Sequence, residues 1–293
     1  MTNRLLQIRR LNDNDYEFLT NMKTGIEDDY VVRIFPKLIH SDEHALYGLF
    51  DGNQMLTVAG YSIYLSQYAM LGRLRSDQRF LAKGNATELL KHIIRDLIDR
   101  DDIKWIGANT EIHNKPALKV LEKLGFPSHP PLYPVKLNNG ETVEGTAGPL
   151  WKQLETIEEK REVLELFKKS DFEVFPYQCY YPFPYQDDFL TDKDLAESLF
   201  FTNKDRTRFF IMKEDQKKEL HAFVMYPWND HFEQPGFWDT VMNQLGTNFT
   251  EHRLWMDFMQ EGLDRAKNLD SFEIRKPWVL HGIWKDKEGH RLP

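Results

Sequence analysis

The predicted order of elements between residues 69 and 126 constrains this chain more than any other feature of its sequence. An apolar run over 69–75 predicts a strand, and the segment 87–100 has apolar residues at i, i+3 and i+4 spacing, which predicts an amphipathic helix. A second strand is predicted over 103–110 and a second amphipathic helix over 115–126. The chain is therefore expected to run strand, loop, helix, strand and helix within 58 residues.

The second predicted helix has clear boundary residues. Asn114 stands at the N-cap position, where its side chain can accept from a backbone N–H of the first turn. Pro116 lies in the first turn, where its missing N–H costs nothing, and Gly125 follows at the position of a C-cap glycine. These residues support a helix that begins at Lys115 and ends near Phe126.

The loop before the first helix is suited to bind a diphosphate. Gly84 and Ala86 are small, so a ligand can approach the backbone there. The first N–H groups of the helix, from Asn85 onward, lack acceptors within the helix, and the helix dipole adds partial positive charge at this end. Lys83 and Arg79 are nearby cations. On this loop alone, a plain strand-to-helix turn with a packing glycine remains the alternative.

The spacing of these motifs resembles that of the GNAT superfamily of acetyl-CoA-dependent N-acetyltransferases. The coenzyme-binding motif of that family, [QR]-x-x-G-x-[GA] leading into a helix, aligns with residues 81–86, which are LAKGNA. Its second motif, N-x-x-A in a helix that ends in G-F, aligns with Asn114, Ala117, Gly125 and Phe126. The resemblance covers roughly residues 5–146 and implies acetyl-CoA as a co-substrate.

The resemblance also implies where the coenzyme binds. The pyrophosphate would lie on the N–H groups of residues 83–87, and a backbone N–H, that of Leu74, would polarise the thioester carbonyl. The implied coenzyme-binding residues are Leu74, Arg75, Ser76, Lys83, Gly84, Asn85, Ala86, Thr87 and Asn114.

Three positions depart from the family pattern and leave the proton chemistry open. The Gln/Arg position of the coenzyme motif is Leu81, the position of a Tyr that protonates the departing thiolate is Leu121, and that of a catalytic Glu is Gly72. We therefore predict Glu111, at the end of the strand that borders the acetyl group in the family, as the base. Tyr133 is predicted as the acid. A solvated strand-end Glu and a packed Tyr are the alternatives.

The fold implied by the resemblance is α/β (α+β), with a mixed, mostly antiparallel GNAT-type sheet flanked by helices. Strands over 46–51 and 55–64, joined by an Asp-Gly-Asn turn, are expected to pair with the strand over 69–75. A closing hairpin is predicted around the Asn-Gly pair at 139–140. The small, polar segment 144–149 predicts a boundary between a GNAT N-acetyltransferase domain, residues 1–148, and a degenerate GNAT-like domain, residues 149–293.

The second half of the chain is expected to have a loosely similar order of elements. Helices are predicted over 154–169, 187–201, 236–245 and 251–268, and strands over 173–177, 208–213, 220–226 and 278–285. No small-residue loop is recognised before any of these helices, so the second domain is expected to bind no coenzyme.

Composition and charge argue against several other classes of protein. The net charge is −8 and no cluster of Lys and Arg is present, so nucleic acid is not expected as a partner. Cys179 is the single cysteine, which suits a cytoplasmic location. The N-terminal segment lacks the apolar region of a signal peptide, and no apolar run approaches membrane-spanning length. Glu111, His113 and His129 do not have metal-ligand spacing, so no metal is expected.

The function predicted from the sequence is transfer of an acetyl group from acetyl-CoA to the primary amine of a small molecule or amino acid. Catalysis would come mostly from holding both substrates in one groove. A non-catalytic acyl-CoA-binding or interaction module is one alternative, favoured by Gly72 and Leu121. A protein or peptide N-acetyltransferase is another. No motif identifies the acceptor or an oligomeric state.

Overall fold

The computed structural model describes residues 6–81, 84–187 and 189–285, which group into two compact units. The first unit takes its residues from Met1–Thr110, Asn114–Ser128 and His281–Pro293. The second unit takes its residues from Glu111–His113 and His129–Leu280.

The strands and helices are as follows in chain order. The strands are β1 (Leu6–Arg10), β2 (His44–Asp51), β3 (Gln54–Tyr64), β4 (Tyr68–Ser76), β5 (Trp105–Glu111), β6 (Tyr133–Leu137), β7 (Lys152–Leu154), β8 (Val174–Gln178), β9 (Tyr181–Pro184), β10 (Leu199–Thr202), β11 (Phe209–Gln216), β12 (Leu220–Met225), β13 (Arg253–Phe258), β14 (Phe272–Ile274) and β15 (Trp278–Trp284). The helices are α1 (Tyr16–Thr20), α2 (Tyr30–Arg33), α3 (Phe35–Ile39), α4 (Asn85–Ile98), α5 (Lys115–Lys123), α6 (Ile157–Leu164), α7 (Asp192–Ala196), α8 (Phe237–Thr247) and α9 (Gln260–Asp264).

The first unit is built on a six-stranded sheet of order β1-β2-β3-β4-β5-β15. The strands β1 to β4 pair in antiparallel fashion, whereas β4 and β5 are parallel and are joined through α4. A parallel pair needs such a crossover, because the chain must return to the same end of the sheet. The antiparallel strands, the turn at Gly52 and the helices α4 and α5 confirm the predicted order of elements, with bounds that differ by a few residues.

Each face of this sheet carries its own apolar core. One face packs against α4 and α5 through a cluster that includes Leu71, Leu89, Ile93 and Leu121. The other face packs against α1 to α3 through a cluster that includes Val31 and Phe35. Leu89, Ile93 and Leu97 are fully buried, and burial of such a side chain contributes roughly 1.5–3 kcal/mol. The apolar stripe recognised in the sequence of α4 is therefore what fixes this helix on the sheet.

The second unit repeats part of this plan. Its seven-stranded sheet has the order β14-β6-β13-β12-β11-β10-β7, and β8 and β9 form a separate two-stranded sheet. The strands β10, β11 and β12 are antiparallel neighbours, and β12 and β13 are parallel and joined through α8. The connection β12-α8-β13 therefore has the same form as β4-α4-β5 in the first unit.

Three predicted elements are wrong. The segment 251–268 is not one helix but contains β13 and the short helix α9, because residues 254–258 form a buried interior strand with no two-residue alternation. Among the described residues of the segment 187–201, helix is limited to the five residues of α7, and β10 follows. The predicted hairpin at 139–140 is a 3-10 turn, Gly140–Thr142, since β6 pairs with β13 and β14 instead.

The two sheets divide the chain differently from a boundary after residue 148. The strand β6 lies in the sheet of the second unit, where it pairs with β13 and β14. The end of β15, from His281, belongs to the first unit, whose sheet it completes beside β5. Sheet pairing joins residues far apart in sequence, so the composition of a linker does not determine it. Within the described residues, no helix is long and apolar enough to cross a membrane.

Candidate active site

The glycine that starts α4 has a left-handed backbone conformation. Gly84 is the N-cap residue with a φ of 79°, in the left-handed region that other residues rarely adopt. The space where a Cβ would stand holds nothing within 4 Å. Conformation rather than crowding therefore requires glycine, and the approach to the helix end is open. Lys83 lies outside the described residues.

The N–H groups of the first helical turn are available to an anion. The first hydrogen bond within α4 runs from the Glu88 N–H to the Gly84 carbonyl oxygen, 3.0 Å away. The N–H groups of Asn85, Ala86 and Thr87 precede it and have no acceptor within the helix. Together with the helix dipole they form a positive end suited to a phosphate or diphosphate.

This helix end opens into a groove of about 380 Å³. The groove lies between β3 and β4 on one side and α4 and α5 on the other, and its walls are Thr57, Leu74, Ser76, Phe80, Leu81, Gly84, Asn85, Ala86, Thr87, Asn114, Pro116, Ala117, Lys119, Val120 and Lys123. Seven of the predicted coenzyme-binding residues therefore come together here, all but Arg75 and Lys83.

Sequence reasoning missed the basic wall of this groove. Lys119 and Lys123 stand one turn apart on α5, and both line the groove opposite the start of α4. Their i, i+4 spacing was visible in the sequence, but only the packing of α5 beside α4 turns that helix face toward the groove. Asn114 caps α5 as predicted, since its side chain accepts from the Ala117 N–H at 3.3 Å.

The parallel pairing of β4 with β5 covers only the first part of β4. Their parallel pairing runs from Tyr68 with Trp105 to Leu71 with Ala108, although β4 continues to Ser76. On its other edge, β4 carries a bulge, because Gly72 pairs with Gly60 but Arg75 pairs with Val58. One extra residue is inserted in β4, which leaves backbone groups there outside the ladder. Leu74, predicted to donate its N–H to the thioester carbonyl, lies in this bulge.

Arg75 has a different partner from the one the resemblance implies. Its Nε donates to Asp29 Oδ2 at 2.7 Å and its Nη2 donates to Asp29 Oδ1 at 2.9 Å. Burial would raise the pKa of Asp29, but the hydrogen bonds from Arg75 and from the Val31 N–H outweigh it and hold this pKa below its usual value. Since Asp29 also caps α2, the pair ties that helix to β4.

The loop between β4 and α4 is held by a fully buried carboxylate, Asp77. Asp77 accepts from the Arg79 N–H at 3.0 Å, from Arg79 Nε at 2.9 Å and from the Lys23 N–H at 3.3 Å. The hydrogen bond from the Arg79 side chain is the main reason that the pKa of Asp77 falls to about 2. Arg79, a predicted phosphate partner, therefore holds the loop that precedes the helix.

The predicted acid and base both belong to the second unit. Glu111 ends β5 and is half-buried, and the next residue donates its N–H to the Pro277 carbonyl at 3.0 Å. Tyr133 begins β6, is half-buried and pairs with Phe258. Their catalytic roles stay predictions. Among the residues with described positions, no group of three or more His, Cys, Asp or Glu side chains is placed to hold a metal ion.

The comparisons with known proteins agree with this geometry. Residues 6–126 match the family model described as acetyltransferase (GNAT) family. The structure of a GCN5-related N-acetyltransferase from Sphaerobacter thermophilus is 11% identical, with a TM-score of 0.53 over 96% of this chain and 96% of that chain. A candidate acetyltransferase from Pyrococcus horikoshii is 10% identical, with a TM-score of 0.52 over 98% and 90%.

At these identities the likeness shows the fold alone. Because the match extends over nearly the whole chain, both units have a GNAT-like fold, with mostly antiparallel sheets flanked by helices. A search of curated protein sequences gave no match.

Proposed function

Since residues 6–126 form a domain of the GNAT acetyltransferase family, we propose that this protein transfers the acetyl group of acetyl-CoA to a primary amine of a small molecule or amino acid. The open N-terminus of α4, in a groove that β4 also lines through Leu74 and Ser76, is the observation that supports it most. The N–H groups at a helix N-terminus can bind a diphosphate, and the thioester must lie within reach of a backbone donor on the sheet. Both are present in the first unit.

The groove offers positive charge for the phosphates of the coenzyme. The pyrophosphate would lie on the N–H groups of Asn85, Ala86 and Thr87, with Lys119 and Lys123, which also line the groove, as further cations. The thioester arm would follow β4 to the bulge at Leu74. We assign the Leu74 N–H to the carbonyl oxygen of the thioester, because Leu74 lies in the bulge of β4 and lines the groove, and a backbone donor there could stabilise negative charge.

The chemical step follows from this placement. The neutral amine nitrogen attacks the thioester carbonyl carbon, a tetrahedral oxyanion forms, and the C–S bond breaks to release the coenzyme thiolate. The amine loses one proton to a base and the thiolate gains one from an acid. Glu111 as base and Tyr133 as acid are retained in this proposal from the sequence. Leu121 is packed in the core with 4% of its surface exposed, so this position supplies no proton.

Calorimetry with acetyl-CoA and an assay of thiol release test the proposal. We expect binding of acetyl-CoA, and release of thiol with at least one member of a panel of amino acids, amines and short peptides. Binding of acetyl-CoA without thiol release across the panel would favour a non-catalytic acyl-CoA-binding module. That rival has support in Gly72 and Leu121, which carry no ionisable group. Release with peptides alone would favour a peptide N-acetyltransferase.

A further inference from the structure

Arg73 is a half-buried cation to which the described part of the chain offers no carboxylate partner. Its Nη2 donates to Ser62 Oγ at 2.7 Å. Its Nε is buried and has no hydrogen-bond partner among the residues that the structure describes. By contrast, Arg75 donates to both oxygens of Asp29. Buried donors are rarely left without an acceptor, so the Arg73 guanidinium can take an acceptor that the described residues do not supply.

The backbone at Arg73 is strained in a way that points to function. Its φ is 59°, in the left-handed region, where a side chain costs free energy that glycine would not. The residue lies in the bulge of β4, directly before Leu74. Backbone strain of this kind is concentrated at ligand-binding and catalytic sites. In this conformation the guanidinium lies beside Ser62, and not on the face that the regular alternation of side chains along the strand would give it.

Two further polar groups lie on the same face of the sheet as this guanidinium. Ser62 alternates along β3 with Tyr61 and Ile63, which face α4 and α5, so Ser62 faces the opposite side. His44 is the partner of Ser62 across the β2–β3 ladder and shares its face. The His44 Nδ1 atom is buried and has no partner within the described ranges. Burial and the charge of Arg73 both lower the pKa of His44, which keeps its ring neutral.

This polar face meets the coenzyme groove at the bulge. Leu74 and Ser76 line the groove on the side of α4 and α5, whereas Arg73 reaches Ser62 on the other side of the sheet. The described pairing of β4 with β5 ends at Leu71 and Ala108, and Arg73 and Leu74 are adjacent in the stretch of β4 beyond it. An acceptor that enters from the side of Ser62 would therefore bring its amine toward the thioester while a second group of the acceptor meets Arg73.

We propose that Arg73, with Ser62 and His44, binds a carboxylate of the acceptor, so that the acceptor is an amino acid with a free carboxylate. The proposal rests on the function given above and narrows its substrate class. A guanidinium pairs well with the planar carboxylate group. A polyamine would instead place a second cation against the guanidinium, and a simple alkylamine would place an apolar group there. Both arrangements are unfavourable, because the guanidinium would remain unpaired.

The test compares each common amino acid with its primary amide, which keeps the amine and side chain but lacks the carboxylate. Dissociation constants are measured by calorimetry with coenzyme A present, and kcat/KM is measured by thiol release from acetyl-CoA. We expect at least one amino acid to bind about 10- to 100-fold more tightly than its amide, the scale of a charge-assisted hydrogen bond. Equal binding of acid and amide, or no binding of any amino acid, would overturn the proposal.

The variant Arg73→Gly separates this role from folding. Glycine suits a φ of 59°, so the variant should unfold at the same temperature as the wild type or higher. It should bind the amino acid as weakly as the amide, while binding of the amide is unchanged. Arg206→Gly is the matched control, since Arg206 is also a left-handed arginine, with a φ of 54°, and is paired with Glu162 in the second unit. This control should keep the full preference.

The two proposals fail in different ways. If amino acids bind more tightly than their amides and Arg73→Gly loses this preference, the carboxylate site is supported. This holds even when no thiol is released, because the absence of thiol release contradicts only acetyl transfer. Thiol release with amides as fast as with acids, unchanged in Arg73→Gly, supports acetyl transfer and contradicts the carboxylate site. A folded Arg73→Gly protein that keeps the preference for acids also contradicts it.

Discussion

The two units of this protein begin their crossover helices with the same device and use it differently. In the first unit Gly84 caps α4 with a φ of 79°, and in the second Gly236 caps α8 with a φ of 77°. A Cβ at Gly84 would meet nothing within 4 Å, whereas a Cβ at Gly236 would lie 2.1 Å from the Pro149 carbonyl oxygen. One helix end is open and the other is covered by the chain itself.

The segment that covers α8 makes regular hydrogen bonds to it. The Gly236 N–H donates to the Thr146 carbonyl at 3.0 Å. The Gly148 N–H donates to Asp239 Oδ2 at 3.0 Å, and the Trp151 N–H donates to Thr240 Oγ1 at 2.9 Å. The first turn of α8 thus carries a carboxylate of its own. An anion would meet both this charge and the backbone of residues 146–151.

The start of α8 differs from what we expected from the sequence, although the expected lack of coenzyme binding in the second unit still holds as a prediction. The expectation that no glycine opens a helix in the second half is wrong, because Gly236 does so. We still expect the second unit to bind no coenzyme, now because the space at the helix end is filled. A glycine at a helix start can therefore form an anion-binding site only when the surrounding chain leaves the space at the helix N-terminus open.

The largest effect is expected from blocking the open helix end. Gly84→Glu places a carboxylate where the diphosphate is proposed to lie, so affinity for acetyl-CoA should fall by about 10³-fold or more through repulsion and lost space. Calorimetry measures this loss, with circular dichroism to check folding. Gly246→Glu, which adds the same charge at an exposed position of α8, is the control and should bind normally. Unchanged affinity in folded Gly84→Glu would remove this site from coenzyme binding.

The same alanine substitution should affect the stability of the two units differently. Gly236→Ala meets backbone at 2.1 Å as well as an unfavourable φ, so the free energy of unfolding should fall by about 3 kcal/mol. Gly84→Ala meets only the unfavourable φ, so a loss of about 1 kcal/mol is expected. Urea unfolding measures both. Equal losses would show that the segment 146–151 does not press on the start of α8.

Glu111→Gln tests whether a residue that belongs with the second unit takes part in chemistry. If Glu111 is the base, kcat should fall by about 10²-fold or more while affinity for acetyl-CoA stays the same. The change removes the charge and keeps the shape of the side chain. Steady-state kinetics over a range of pH, with calorimetry alongside, measures it. A variant with an unaltered rate and pH profile would exclude Glu111.

The smallest effect concerns a buried carboxyl of β13 in the second unit. Burial raises the pKa of Asp257 to about 7, although its Oδ1 accepts from Trp255 Nε1 at 3.2 Å. Because the folded state favours the protonated form, wild-type stability falls as pH rises from the unfolded pKa, about 4, to about 7. Asp257→Asn removes this loss and can keep the hydrogen bond.

The stabilising effect of Asp257→Asn should therefore be larger at pH 8 than at pH 6 by about 1 kcal/mol, the order of one pKa unit of linkage. Urea unfolding of both proteins at the two pH values provides the measurement. The exposed variant Asp264→Asn in α9 is the control and should show no such difference. The same gain for Asp257→Asn at both pH values would mean that the carboxyl is ionised throughout this range.

Local patterns in the sequence were enough to predict most of the first unit. The periodicity of α4, the caps of α5 and the glycine at residue 84 each depend on residues within a few positions of one another. Such signals survive without tertiary information, because helix dipoles, caps and backbone preferences act over one or two turns. Seven of the coenzyme-binding residues that the resemblance to the GNAT superfamily implies also line the groove, because that resemblance rests on the same short motifs.

Features that depend on residues far apart in the sequence were decided only by the tertiary structure. β13 is an interior strand with apolar residues on both faces, so its sequence matches a helix as well as a strand until β6 and β12 lie beside it. Among the described residues Arg73 has no carboxylate partner, because the bulge of β4 brings its side chain to Ser62, whereas Arg75 pairs with Asp29. The glycines that start α4 and α8 have nearly the same backbone, and only the path of residues 146–151 makes one of them closed.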